Sequence, residues 1–487
     1  MRKKPLFLFL LPLFFVLHGF MDNYDLISVK SALLVMITYI FAAYLIAWLS
    51  SFIFNNRYKA KLFTFFLLLI NFFFGPLYDF LDAVAKKSFL PKYAFLLPFV
   101  FLLLTLTIIW LKKIRQPSLK TGFFANTVLL LLLITDSIFL TIKVYKQDDR
   151  RLVYENTSLT AAHVTDKPDI YLIVPDGYAG DAELKEMLQF DNSSFLQQLK
   201  ERGFHIIEKS TSNYNMTVFS ITSTLNMSYL KIKDTKNAGP LFSDCYRAIK
   251  HNRLFEIMRK EGYKINDFSI FNPGNKDLPM EESVFPANGG LLAGQTLLGH
   301  IIKIIRYNAA NKLKWKSLAS HGVYAIARNN KNIYDATWNS AEQHDSKPRF
   351  IYTHMLMPHS PYYYNKNGEL LPFEALLEGT QTNQKNYLGY LQYTSKKIIS
   401  LIDHIQKESA MPPVIIVMSD HGFRRLPANT DMKYQFINLT AIYLPEKNYT
   451  HFREGMSNVN LFRTLLNIRF GQNLPLLQDS SIYLERE

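Results

Sequence analysis

Two regimes of hydrophobic patterning divide this chain. Over the first 142 residues the apolar positions run together without a helical or strand period, in stretches at 5–21, 32–54, 62–80, 93–111 and 121–142. About 20 consecutive apolar residues cross the hydrocarbon of a bilayer, so these stretches predict five transmembrane helices. Beyond residue 168, short β-branched runs alternate with helical patterns. Strands are expected at 169–174, 350–354 and 414–418, an edge strand at 441–444, and helices around 195–203 and 254–262. Such alternation predicts an α/β domain with a largely parallel central sheet. The segment between is polar, with Asp148, Asp149, Arg150 and Arg151 in a row. The expected organisation is a transmembrane domain of five helices over 1–142, a juxtamembrane connector over 143–167 and a globular domain over 168–487.

Basic residues set the expected orientation. Arg2, Lys3 and Lys4 precede the first stretch, Arg57, Lys59 and Lys61 follow the second, and Lys112, Lys113, Arg115 and Lys120 separate the fourth from the fifth. Positive-inside bias puts the N-terminus in the cytoplasm and the chain after Lys143 on the far side of the cytoplasmic membrane, periplasmic or extracellular. The charged start followed by Leu6 to Leu17 also has the form of a signal peptide. No small-residue cleavage site follows, because Leu17-His18-Gly19-Phe20 offers none, and the stretch reads as an uncleaved span.

Charge and cysteine usage narrow the function. The net charge is +15, of which residues 1–142 supply +9 and the other 345 residues +6. Much of the excess therefore belongs to membrane topology, and no nucleic-acid partner is expected. Cys245 is the single cysteine, so an exported domain rests on its core, and on any metal, without an internal disulfide. Two features fit less easily. Asp136 places an acid inside the fifth span, with helix contact as its expected role. The stretch Leu297–Lys316 mixes isoleucines with His300, Lys303, Arg306, Lys312, Lys314 and Lys316. Packing against the globular domain's own core is expected for it, although a basic amphipathic stretch can also lie on an anionic membrane.

Candidate chemistry sits at strand ends. The run Val414–Met418 stops in Ser419-Asp420-His421-Gly422, and Ile170–Val174 stops in Pro175-Asp176-Gly177. Open α/β sheets carry their sites at the carboxyl ends of such buried strands. Asp and His are cation ligands, and Gly177 permits a sharp turn. A capped turn with a solvated histidine would read the same way for Asp420 and His421 taken alone. The segment Ser212–Ser220 passes from a polar loop into an apolar period, which puts Thr217 at the start of a helix, where unpaired N–H groups face an anion. A plain helix cap would again look alike. A further segment, Thr353–Tyr362, holds His354 and His359.

In order and local context these four segments resemble the alkaline phosphatase and sulfatase superfamily, in particular its membrane-anchored branch of lipoteichoic acid synthases and phosphoethanolamine transferases. The resemblance is strongest at 168–230, 349–365 and 412–426, with a weaker echo at Ser457–Phe462. It implies that Asp176, Asp420 and His421 bind one divalent cation, zinc, manganese or magnesium, with the oxygen of Thr217 as fourth ligand. Thr217 is then the nucleophile, and His354 and His359 face the substrate or a second metal. Two departures qualify the transfer. Cys245 lies in Asp244-Cys245-Tyr246-Arg247, outside the modified Cys/Ser-x-Pro-x-Arg motif of true sulfatases. Lys433 stands where the phosphoethanolamine transferases carry a histidine, which favours a single metal.

The function expected is a membrane-anchored metal-dependent sulfatase-like phosphotransferase. It would move a phosphoglycerol or phosphoethanolamine head group from a membrane phospholipid donor, through a phospho-threonine, to a cell-envelope glycan, lipid or polymer. The alternatives are a sulfatase-like phosphodiesterase or sulfuric-ester hydrolase with water as acceptor, and a catalytically silent membrane scaffold.

Overall fold

The computed structural model describes residues 5–24, 26–146, 152–153, 166–272, 278, 280, 289–316, 322–343, 345–377, 379–427 and 429–485. They form two compact units. Of the connector expected over 143–167, residues 143–146 continue a helix and most of the rest lies outside the described residues.

One unit contains residues 1–147 together with 285–313. Its helices are α1 (Phe7–Asp22), α2 (Val29–Ser50), α3 (Arg57–Ala85), α4 (Tyr93–Lys113) and α5 (Leu119–Lys146). Helices α2 to α5 are long and apolar enough to cross a membrane, whereas α1 has 16 residues and spans only about 24 Å at 1.5 Å per residue. It is also the interior helix. Phe7, Leu8 and Leu11 are buried, and Phe15 stacks on Phe72 of α3 with ring centroids 4.5 Å apart. A helix surrounded by protein need not match the lipid thickness that its neighbours meet. The outward positions of the long helices, among them Phe41, Phe101 and Phe124, are exposed and apolar, which suits hydrocarbon rather than water. Asp136 on α5 finds its partner in His18 of α1, whose Nδ1 lies 3.1 Å from Oδ2.

The same unit holds α11 (Gly289–Ala293) and α12 (Leu297–Asn311), drawn from the second half of the chain. This corrects the expectation that the basic amphipathic stretch packs on the globular domain's core. The reason lies on α3, at two positions that are not large and apolar. Asn71 Oδ1 accepts the Leu298 N–H at 3.1 Å, and the Gly75 N–H donates to the Gln295 carbonyl at 2.9 Å. A Cβ on Gly75 would lie 2.4 Å from that carbonyl oxygen and 2.9 Å from the Gln295 Cα. Alanine gains about 1 kcal/mol of helix propensity, but overpacking against backbone costs about 1–3 kcal/mol. Gly75→Ala is therefore expected to lower the thermal midpoint of the detergent-solubilised protein, and an unchanged or raised midpoint would show that this contact is slack.

The other unit contains Asp148–Val284 and Lys314–Glu487. Its strands are β1 (Ile170–Pro175), β2 (His205–Ile206), β3 (Lys264–Ser269), β4 (Arg349–Met355), β5 (Val414–Met418) and β6 (Thr440–Tyr443), in spatial order β2-β6-β5-β1-β4-β3. The contacts of β1 with β4 and β5, and of β3 with β4, are parallel. Strand β6 runs antiparallel to β5, and the two-residue β2 covers its outer side, so β6 is not the edge it was expected to be. Every residue of β1, β4 and β5 is buried, as expected of central strands covered on both faces. Ile173 pairs with Val417, so β1 and β5 end at one level and deliver Asp176 and Asp420 side by side.

Candidate metal centre

The two strand ends are joined through backbone donors. The Gly177 N–H donates to Asp420 Oδ1 at 2.9 Å, and the Tyr178 N–H to Ser419 Oγ at 2.8 Å. Gly177 has φ +71°, where a side chain is strained, and this turn aims its N–H at the neighbouring strand. His421 donates from Nδ1 to the Gly422 carbonyl at 2.7 Å, since a carbonyl can only accept. That bond leaves Nε2 as the lone-pair nitrogen facing the acids, 3.2 Å from Asp420 Oδ2 and 3.8 Å from Asp176 Oδ1.

Thr217 completes the cluster. It is the first residue of helix α8 (Thr217–Asn226), whose cap residue Met216 makes no side-chain cap. Thr217 Oγ1 lies 3.3 Å from Asp176 Oδ2 and 3.2 Å from His421 Nε2. One turn on, Ser220 Oγ donates to the Asp420 carbonyl at 2.6 Å and ties the start of α8 to the strand end.

The acids are short of partners. Asp176 Oδ1 and Asp420 Oδ2 are buried and accept no hydrogen bond. Leaving such atoms without a donor costs about 1–3 kcal/mol each, so the arrangement calls for a cation. Burial and the neighbouring Asp176 push the Asp420 carboxyl up to about 6. Burial also acts upward on Asp176, but His359 and the hydrogen bond from His354 outweigh it and hold that group well below the usual carboxylate range. Burial, then the charge of Arg424, pushes His421 down, so its imidazole is neutral, the form that ligates. Asp176, Asp420 and His421 bring one ligand atom each within 4.8 Å of one another, and the residues fit a divalent metal ion. Among the described residues no other such cluster occurs.

The two further histidines occupy different settings. His354, on β4, is wholly buried; its Nδ1 meets the Tyr352 hydroxyl at 2.9 Å and its Nε2 lies 3.4 Å from Asp176 Oδ2. His359 is partly exposed. It donates from Nδ1 to the Ser360 carbonyl at 2.6 Å, and its Nε2 lies 3.4 Å from Arg424 Nη2.

Arg424 is the residue that sequence reasoning passed over. Its Nη1 donates to the Asn215 carbonyl at 2.9 Å, and it lines a narrow pocket with His359, Tyr362, Tyr387, Phe423 and Arg425. A basic pair three and four residues past His421 was the available signal, and it looks like any solvated charge pair. A larger open depression beside Trp338, Asp403 and His404 holds none of these groups. Cys245 is buried within helix α9 (Phe242–Lys250), and burial pushes its thiol upward, away from reactivity. Lys433 is exposed and lies beside Asp431.

Known structures of similar outline include the C-terminal periplasmic domain of EcEptC from Escherichia coli, with 12% identity over 68% of this chain and 94% of that one and a TM-score of 0.42. The C-terminal periplasmic domain of phosphoethanolamine transferase EptC from Campylobacter jejuni has 14% identity, covering 65% and 92%, with a TM-score of 0.36. The soluble domain of lipooligosaccharide phosphoethanolamine transferase A from Neisseria meningitidis has 13% identity, covering 66% and 91%, with a TM-score of 0.37. No curated protein matches the sequence. The sulfatase family model matches residues 190–464, more than half of the chain. That stretch takes in Thr217, His354, His359, Asp420 and His421, and the chain belongs to the sulfatase family, within the alkaline phosphatase and sulfatase superfamily.

Proposed function

We propose that the protein is a membrane-anchored, metal-dependent transferase that moves a phospholipid head group through a phospho-threonine at Thr217 to a hydroxyl of an envelope glycan, lipid or polymer. Phosphoglycerol and phosphoethanolamine both suit the site. The observation that carries this reading is the position of Thr217 Oγ1, which meets Asp176 Oδ2 at 3.3 Å and His421 Nε2 at 3.2 Å. Ligands about 2.0–2.1 Å from a tetrahedral zinc stand about 3.3–3.4 Å apart, so these separations suit Asp176, Thr217, Asp420 and His421 as four donors to one ion. Manganese or magnesium with added water would also be accommodated. When bound, a divalent ion supplies the Lewis acidity that lowers the hydroxyl pKa and offsets phosphoryl charge.

The chain's own groups do the rest. Thr217 Oγ1 forms the new bond to phosphorus as the bond to the diacylglycerol oxygen breaks, and the proton that Thr217 loses balances the one that oxygen gains. His359 Nε2, on the pocket side, is the relay for that proton and for its return from the acceptor hydroxyl in the second half-reaction. His354 holds the Asp176 carboxylate in place, backed by Tyr352. Arg424 binds a non-bridging phosphoryl oxygen through the Nη2 that now faces His359. The basic residues ahead of α1, in the first turns of α3 and around the α4–α5 link support a cytoplasmic N-terminus, with the α/β unit periplasmic or extracellular. Membrane anchorage holds that unit beside a lipid donor and turns a search in solution into one at a surface.

The deciding experiment is mass spectrometry of full-length protein incubated with phospholipid. An adduct on Thr217 with the mass of a phosphorylated head group is expected, and its mass names the donor. An adduct on Ser212 or Ser220 would overturn the nucleophile. Free head-group phosphate without an acceptor product would favour the hydrolase.

Arg424 supplies a second test. Removing one preorganised donor to a developing oxyanion costs about 10²–10³-fold in rate. Arg424→Ala should lower kcat by that factor with bound metal retained, and Arg424→Lys should recover part of it. A kcat within about twofold of wild type would remove Arg424 from the phosphoryl site.

A further inference from the structure

Among the described residues, helix α12 carries an exposed apolar face. Leu298, Ile302 and Ile305 fall at i, i+4 and i+7, on one side of the helix, and are 58%, 40% and 53% exposed. By 3.6 residues per turn the exposed Arg306 stands about a quarter-turn from this face and the exposed Lys303 more than a third of a turn from it, with Lys312 just past the helix end. The remaining side is fixed to the helical bundle. His300 Nδ1 meets the Tyr93 hydroxyl of α4 at 2.8 Å and packs edge-on against Phe74 of α3, while Asn71 and Gly75 hold residues 295–298. The stretch itself is one-sided in charge: the sequence contains no acidic residue between Glu282 and Asp335. From the neighbouring helix α3, Asp79 faces Lys303, with Asp82 close to Asp79 and Tyr93.

We infer that α12 is an in-plane interfacial helix whose Leu298, Ile302 and Ile305 insert among acyl chains while Lys303, Arg306 and Lys312 bind the phosphates of anionic phospholipids. Two observations select a lipid surface as the occupant. The exposed apolar face belongs to the same compact unit as the lipid-suited flanks of α2 to α5, and its helix is held directly on one of them, α3, through Asn71 and Gly75. The adjoining basic edge has the sign that an anionic headgroup layer requires, and each Lys or Arg near such a layer adds about 1 kcal/mol of attraction. The inference rests on the helical unit being membrane-embedded, and it does not depend on the chemistry proposed for Thr217.

The test uses full-length protein in nanodiscs of phosphatidylglycerol and phosphatidylcholine. In a Cys245→Ala background, single cysteines replace Ile302, Ile305 and Arg306, and Phe101 of α4 as a control; each carries a nitroxide. Collision with oxygen should exceed collision with a water-soluble nickel chelate several-fold at 302, 305 and 101, and the order should reverse at 306. If 101 is lipid-exposed while 302 and 305 meet the chelate, α12 lies in water and the inference fails alone. If 101 also meets the chelate, the membrane reading fails with it. If 302 and 305 are shielded from both reagents, a protein partner covers the face and the inference is overturned. The basic edge is read separately, from lipid retained after detergent washing. Wild type should hold phosphatidylglycerol enriched several-fold over its share of the feed, and the Lys303→Glu, Arg306→Glu, Lys312→Glu triple variant should fall back to that share. Thr217→Ala should retain the enrichment. Equal enrichment in the triple variant would overturn the charge assignment.

Discussion

Replacing Thr217 by alanine is expected to lower head-group transfer by about 10⁴-fold or more, the scale of removing a covalent nucleophile from a site whose other groups remain. Neither the fold nor the rest of the cluster gives a reason for a large loss of stability. Thr217 is the first residue of α8, its hydroxyl faces Asp176 and His421, and Asp176, Asp420 and His421 are held by the bonds of the strand ends, of His354 and of Ser220. Thr217→Ser keeps the oxygen and should retain adduct formation, whereas Thr217→Val keeps the shape and should behave as alanine does. The measurements are single-turnover release of diacylglycerol and the intact mass of each variant. Transfer by Thr217→Val within about tenfold of wild type would mean that Thr217 is only a ligand or a wall of the site, and that the acceptor attacks the donor directly.

The parts of this site that were legible share one property: they follow from a single stretch of chain. Strands β1 and β5 are continuous apolar runs because both faces are covered, and a charged residue directly after such a run has to sit at the sheet's carboxyl edge. Asp176 and Asp420 could be found this way, and the position of Thr217 follows from the change of period around it. Strand β3 was not visible, because Lys264, Asn266 and Asp267 break its apolar run where it lies at the sheet edge and is only partly buried. The long helix Gln384–Glu408 was also passed over. Its buried stripe includes Tyr387, Tyr390 and Thr394, residues that do not read as core until the tyrosine hydroxyls have partners, as Tyr387 has in the Gly177 carbonyl. The destination of α12 was less legible still. It is decided by Asn71 and Gly75, more than two hundred residues earlier, and nothing in the amphipathic pattern of α12 says which surface will receive it. Arg424 was hidden for a similar reason, since its role depends on the folded positions of Asn215 and His359.

Asp420→Asn should change sign with metal. Without a divalent ion, two buried carboxylates stand together, with Asp176 Oδ1 and Asp420 Oδ2 accepting no hydrogen bond. An asparagine amide at 420 keeps Oδ1 as acceptor for the Gly177 N–H and places a donor 3.2 Å from the lone pair of His421 Nε2. Removing one negative charge and pairing one buried atom should add about 1–3 kcal/mol. In chelator, the variant should therefore melt above wild type. With metal at about a thousandfold excess over its Kd, wild type gains about 4.1 kcal/mol by mass action, while the variant, short of an anionic ligand, gains far less. The order of the two midpoints should then reverse. Thermal unfolding of full-length protein in detergent, with EDTA and with zinc, reads all four states, and magnesium or manganese in place of zinc identifies which ion drives the crossing. If Asp420→Asn melts below wild type even in chelator, the carboxylate is satisfied by the protein alone, and the strand-end acids are a structural pair rather than a cation site held open by the fold.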